Sequence, residues 1–241
     1  MRWAEFHALC QRTFRRSSSV TAGPLSESGL AVFPTLDEAT CTELRDLVDK
    51  ADTRLTDRTF FLEIFARLLG PALEAAILGR LGCEFAPLWW QFLRDDPGAE
   101  ANYSFFWHCD GGPTSHLKLL TYLTGSEETG ASTLYLDRTE SDGFRKLGYA
   151  FCPMRERLAD LSALAKKHSL PFHPQAPDMK AGDTIVFEPM NLLHRGFPPT
   201  KSPRYLIQIC LIPAPAPWAD TCARMGLPRD NPDWLSPFGP S

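Results

Sequence analysis

Residues 181–196 read AGDTIVFEPMNLLHRG, and the chain continues from 197 to 213 as FPPTKSPRYLIQICLIP. A Gly182-Asp183 turn launches the apolar β-formers Thr184 to Phe187 toward His194. Arg204 follows ten residues after that histidine, at the start of a second apolar run. Short runs of β-branched and aromatic residues between Gly, Pro and Asp read as strands. If two such strands neighbour one another in a jelly roll, an imidazole and a guanidinium can face one cavity. That pairing suits a dicarboxylate that chelates a metal at one end and meets the arginine at the other.

Working toward the N-terminus, the same texture extends to about residue 84. PLWWQFLR, YSFFWH, LKLLTYLT and STLYLDR all read as strands. Before residue 84 the pattern changes. GLAVFP (29–34) reads as one strand, and TCTELRDLVDKA as a helix with Thr40 and Glu43 at capping-box spacing. Residues 58–82 read as two helices broken at Gly70-Pro71, because proline lacks a helical donor. Near the start, Trp3, Phe6, Cys10 and Phe14 recur at helical spacing.

The expected architecture is therefore mostly β with a helical buttress. Its core is a double-stranded β-helix (jelly roll), and the N-terminal helices pack on one sheet. We expect one domain over 1–241, with a helical part to 83, the jelly roll over 84–213 and a Pro-rich, irregular tail over 214–241. A segment at 140–175 interrupts the strands. Within it, residues 154–168 read as a helix with Leu158, Leu161 and Leu164/Ala165 on one face, and its length suits a lid.

Composition narrows the function classes. The chain has 241 residues, 44% of them hydrophobic and 22% charged, with a formal net charge of -4. No basic face for nucleic acid is expected, and no apolar run reaches the ~20 residues of a membrane span. Seven cysteines without a C-x-x-C pair argue against structural zinc and a disulfide framework. No signal-peptide pattern opens the sequence, so a cytoplasmic location is expected. Oligomeric state is not legible.

WHCDGG, at 107–112, supplies the other half of a metal site. On a strand, residues i and i+2 share a face, so His108 and Asp110 can reach one ion while Cys109 faces the core. An iron site of two imidazoles and one carboxylate needs a second histidine. His7, His116, His168, His173 and His194 are the candidates, and His194 alone follows a strand aimed at a neighbouring arginine.

In this order the residues resemble the iron(II)/2-oxoglutarate-dependent dioxygenases, in particular the prolyl-4-hydroxylase-like and phytanoyl-CoA-hydroxylase-like branches. The likeness is carried by W-H108-C-D110, L-L-T-Y122-L-T, T-G130-A-S-T-L, A-G-D183-T-I-V-F-E-P, L-L-H194-R-G-F-P and R204-Y. It implies Fe(II) on His108, Asp110 and His194, with 2-oxoglutarate and O₂ as co-substrates. It also implies that Arg204 grips the distal carboxylate and that Tyr122 hydrogen-bonds it. Lys118, four residues before Tyr122, either adds charge to that pocket or is a solvated lysine. Phytanoyl-type members often carry a serine two residues after the arginine, where this chain has Leu206.

The implied activity is hydroxylation of a small-molecule or peptidyl substrate, with release of succinate and CO₂. Trp89, Gln91, Arg94, Phe106 and the 140–175 segment are candidate pocket walls, and Arg94, Arg138, Arg155 and Arg157 leave an acidic substrate open. Two rival readings remain: a jelly roll that binds a metal or ligand without oxygenase activity, and an interaction module.

Overall fold

The computed structural model describes residues 3–13, 24–100, 103–112 and 115–230. Phe14 and the last eleven residues of the Pro-rich tail lie outside them. The described chain is mostly antiparallel sheet with helices packed around it.

Six strands form a large sheet: β1 (Leu30–Pro34), β2 (Glu84–Asp95), β3 (Leu117–Tyr122), β5 (Asp183–Phe187), β7 (Arg204–Ala214) and β8 (Arg229–Asp230), in the order β1-β5-β3-β7-β2-β8. Only the β2–β8 pairing is parallel. A second, two-stranded sheet pairs β4 (Ser132–Tyr135) with β6 (His194–Phe197). Single bridges widen it, with His108 beside His194 and Gln175 beside Tyr135.

Side chains alternate across a strand, so the large sheet has two different faces. Its outer face carries Trp90, Leu117, Leu119, Val186, Ile207, Ile209 and Leu211. They pack against α3 (Glu38–Asp49), α4 (Arg58–Leu68) and α5 (Pro71–Leu81) through Leu44, Phe61, Phe65, Leu73 and Ile77. Its inner face carries Leu120, Tyr122, Ile185, Phe187 and Leu206. The expected buttress on one sheet is thus present.

Local chemistry sets several boundaries. α4 and α5 break where expected, with Pro71 at the first turn of the second helix. The cap of α3, however, is Asp37, which accepts from the Thr40 amide at 2.7 Å, three residues earlier than the Thr40–Glu43 reading. Gly182 makes the Gly-Asp turn obligatory. Its φ is +89°, and a Cβ there would lie 2.1 Å from the Leu36 carbonyl oxygen.

Three expectations need correction. YSFFWH is a short 3-10 turn at Tyr103–Phe105 and then a single bridge residue at His108. The helix expected at 154–168 begins only at Ser162, as α8 (Ser162–His168), while a helix over Arg138–Lys146 (α7) was missed. Asp137 and Glu140 stand at capping spacing there, and Asp137 accepts from the Glu140 amide at 2.8 Å. In the tail, α9 (Trp218–Met225) replaces the irregular packing expected. With Cys222 and Leu227 it covers Leu88, Trp89 and Cys210. No helix among the described residues is long and apolar enough to cross a membrane.

Candidate metal centre and its cavity

The two histidines meet because they oppose each other across an antiparallel bridge. His108 N–H donates to the His194 carbonyl at 3.0 Å and His194 N–H to the His108 carbonyl at 2.9 Å. Residues directly opposite in such a pair project to the same face, and the imidazole centroids are 4.5 Å apart. The Asp110 amide donates to the Pro189 carbonyl at 2.9 Å, which brings the carboxylate to the same point. His108 Nε2 lies 3.2 Å and His194 Nε2 3.7 Å from Asp110 Oδ1. One ligand atom from each of the three residues falls within 4.8 Å of the others. The expected strand geometry for His108 and Asp110 is thus replaced by a bridge residue followed by a turn, with the same convergence.

Tautomers follow from acceptor chemistry. His108 Nδ1 is 2.7 Å from the Phe106 carbonyl and His194 Nδ1 is 2.9 Å from the Leu192 carbonyl. A carbonyl oxygen can only accept, so Nδ1 carries a proton in both rings and each Nε2 faces inward, toward Asp110. His194 Nε2 is buried without any hydrogen-bond partner. Burial, then the neighbouring His108, hold the His194 pKa well below its usual value, so that ring is neutral. Burial by itself would raise the Asp110 pKa. The Lys118 ammonium, His108 and His194 outweigh it and keep the carboxylate ionised. A neutral His194 imidazole, a second imidazole from His108 and one carboxylate converging on one point are a donor set that fits a divalent transition metal.

The remaining candidate histidines lie elsewhere. His7 Nε2 meets the Leu81 carbonyl at 2.8 Å, and His173 Nδ1 meets Glu140 at 2.7 Å. His116 lines a separate cavity with Arg80 and Glu188, and His168 ends α8. Cys109 faces the opposite side, among Trp107, Leu136 and Phe144, and burial pushes its thiol pKa up to about 12. It is packing, as its alternation predicts.

A cavity of about 250 Å³ opens beside the histidines. Alternate residues of three strands form one wall: Gln91, Leu93 and Asp95 of β2, Lys118 and Leu120 of β3, and Arg204, Leu206 and Gln208 of β7. Thr133, His194 and Gly196 of the small sheet line the opposite side. Lys118 is not a solvated lysine. It is 8% exposed and its Nζ contacts Asp110 Oδ2. Arg204, 3% exposed, sits at the other end, where Nε and Nη2 donate to Asp95 Oδ2 at 3.1 and 2.6 Å. The Tyr122 hydroxyl is bonded to Thr133 Oγ1 at 2.7 Å, so Thr133 is the residue that fronts the cavity there.

Gly196 lets this end close. A Cβ on it would lie 2.9 Å from the Phe105 ring and 3.4 Å from Arg204 Nη2. Three residue steps of β6 separate His194 from Phe197, whose carbonyl receives Arg204 Nη1 at 3.4 Å. At a strand's rise that is about 10 Å between the histidine end and the arginine end.

Of the other expected walls, Gln91 is in place, whereas Trp89 is covered by α9 and its flank. Arg94 points away, to Asp49 and Asp96, and Arg138 is tied to Glu188. Asp95, Thr133 and Gln208 were missed, since only strand register reveals that they face the cavity.

The 140–175 segment lies behind the loops that carry His108, Asp110 and His194 and does not line the cavity. Phe144, Tyr149, Ala150, Leu161 and Ala165 pack on Trp107, Cys109 and Leu193. Tyr149 Oη donates to the Trp107 carbonyl at 3.1 Å and accepts from the Leu158 amide at 2.7 Å. Cys109 N–H donates to the Ala150 carbonyl, and Leu193 N–H to Ser141 Oγ, both at 2.9 Å. In this structure the segment packs as a buttress on the loops that carry His108 and His194.

No protein-family model matches this chain, and no curated protein matches it. Solved structures share its fold at low identity. The carbocyclase SnoK from nogalamycin biosynthesis, described as non-heme and alpha-ketoglutarate dependent, aligns with a TM-score of 0.52 at 14% identity, over 89% of this chain and 92% of that one. HygX from Streptomyces hygroscopicus, with nickel and 2-oxoglutarate bound, gives 0.52 at 17%, over 79% and 84%. EctD from S. alaskensis, with 2-oxoglutarate and 5-hydroxyectoine, gives 0.54 at 17%, over 82% and 76%.

Proposed function

We propose that this chain is an Fe(II)- and 2-oxoglutarate-dependent oxygenase that hydroxylates a small molecule or a peptide side chain. The carrying observation is the buried, partnerless His194 Nε2, aimed at the point where His108 Nε2 and Asp110 Oδ1 converge. The shared fold with 2-oxoglutarate-bound HygX and EctD supports the same reading. On it, the large and small sheets are the two halves of a double-stranded β-helix.

His108, Asp110 and His194 would hold the iron. Bound iron with 2-oxoglutarate and O₂ supplies the oxidising chemistry, releasing succinate and CO₂. The chain's own contribution is positional. The Phe106 and Leu192 carbonyls lock both imidazole tautomers, a second-layer support that metal-binding histidines commonly need. Lys118 holds the outer oxygen of Asp110, leaving Oδ1 toward the histidines. Leu93, Leu120 and Leu206 give the cavity a dry floor between its two charged ends, which strengthens the electrostatics of both.

The test is substrate-independent turnover. Purified protein given Fe(II), ascorbate, 2-oxoglutarate and O₂ should form succinate slowly, and Asp110→Ala should form none. Absence of succinate from the intact protein across a substrate screen would refute the proposal.

A further inference from the structure

The arginine end of the cavity already holds a carboxylate. Asp95 is the last residue of β2, directly opposite Arg204 in the β2–β7 register. The side chains of the pair are 14% and 4% exposed. Arg204 Nη1 donates to the Ser132 carbonyl at 3.2 Å and to the Phe197 carbonyl at 3.4 Å. A guanidinium has five N–H groups. With two directed at Asp95 and two at backbone carbonyls, one remains, and the Tyr122 hydroxyl is its neighbour. An incoming carboxylate therefore meets a neutral ion pair where the resemblance leads one to expect a free cation.

We infer that Asp95 is an internal competitor for the distal carboxylate and so a specificity-determining residue for the 2-oxo acid. This rests on the oxygenase reading above. Two carboxylates on one buried guanidinium repel each other, so a diacid binds by displacing Asp95. The exchange is feasible because both Arg204 bonds land on the same oxygen, Oδ2. That arrangement lacks the two-oxygen fork of a matched pair, which a ligand carboxylate can supply. A monocarboxylate 2-oxo acid reaches only the metal end and displaces nothing. Asp95 therefore narrows the advantage of diacid over monoacid.

The experiment titrates 2-oxoglutarate and 2-oxobutyrate calorimetrically into the Ni(II)-loaded full chain, as wild type, Asp95→Asn and Asp95→Ser, with melting curves to verify folding. When the competent state is a minor population, apparent affinity is reduced by that fraction, so removing the competitor should tighten 2-oxoglutarate about tenfold or more. 2-Oxobutyrate affinity should be unchanged. Wild type alone should favour the diacid by only about tenfold, below the roughly 30-fold or more that a free guanidinium partner supplies, which keeps the idea testable if both variants unfold. Unchanged or weaker 2-oxoglutarate binding in the folded variants, or a wild-type diacid preference in the thousands, overturns the inference and leaves the oxygenase reading intact. Failure of wild type and variants to bind either acid overturns both.

Discussion

The two ends of the cavity differ in what they lack. At the histidine end, the buried His194 Nε2 has no hydrogen-bond partner. At the arginine end, Asp95, Ser132, Phe197 and Tyr122 together satisfy the guanidinium from within. Incomplete bonding in a buried site is a ligand signal, since orphaned polar groups are costly. Complete bonding serves folding first and binding second. The supports differ as well. The histidine end leans on the inserted segment through Tyr149 and Ser141, whereas the arginine end is set by the register of β2 against β7.

The largest expected effect separates the ends outright. His108→Ala or His194→Ala should reduce Fe(II) retention to background in anaerobic equilibrium dialysis, with the melting temperature nearly unchanged. Retention at the wild-type level would move the metal elsewhere. Arg204→Ala should do the reverse, leaving Fe(II) binding in place. Leaving the partly buried Asp95 without its partner should destabilise the fold by about 1–3 kcal/mol in urea unfolding. A loss below 1 kcal/mol would mean that the pair is not the structural tie described.

Tyr149→Phe is the intermediate case. It leaves the partly exposed Leu158 amide without its acceptor, at a cost of about 0.5–1.5 kcal/mol. Because the same hydroxyl bonds the Trp107 carbonyl, Fe(II) affinity should fall with stability. A stability loss with unchanged Fe(II) affinity would show that the segment does not brace the ligand loop. Leu158→Ser should change unfolding free energy by less than about 0.5 kcal/mol, because Leu158 is 43% exposed. A larger loss would place it inside the buttress with Leu161.

This contrast also explains what could be read from the sequence. His108, Asp110, His194 and Arg204 were legible because the spacing of ligands and strands survives in the linear order. Strands β1 to β5 and β7 were legible from their apolar β-forming runs, whereas the short β6 and β8 were not, and YSFFWH, whose aromatic residues suit a strand, folds as a 3-10 turn. Asp95 was not legible. It is one of two adjacent aspartates after a strand, and only the pairing of β2 with β7 selects it over Asp96. α7 was missed because its mean hydropathy is low, although Asp137 and Glu140 carried the capping signal. The inserted segment looked like a lid by length. Its buried Phe144, Tyr149 and Leu161 become informative only once their partners Trp107, Cys109 and Leu193 are known.

The most direct test of the central claim is anaerobic: Fe(II) is added to the wild-type protein, then 2-oxoglutarate, and the visible difference spectrum is recorded. A weak charge-transfer band should appear that saturates at one equivalent of iron, is absent in His194→Ala and decays on admission of O₂ as succinate forms. No band in the wild type, or an equal band in His194→Ala, would contradict it.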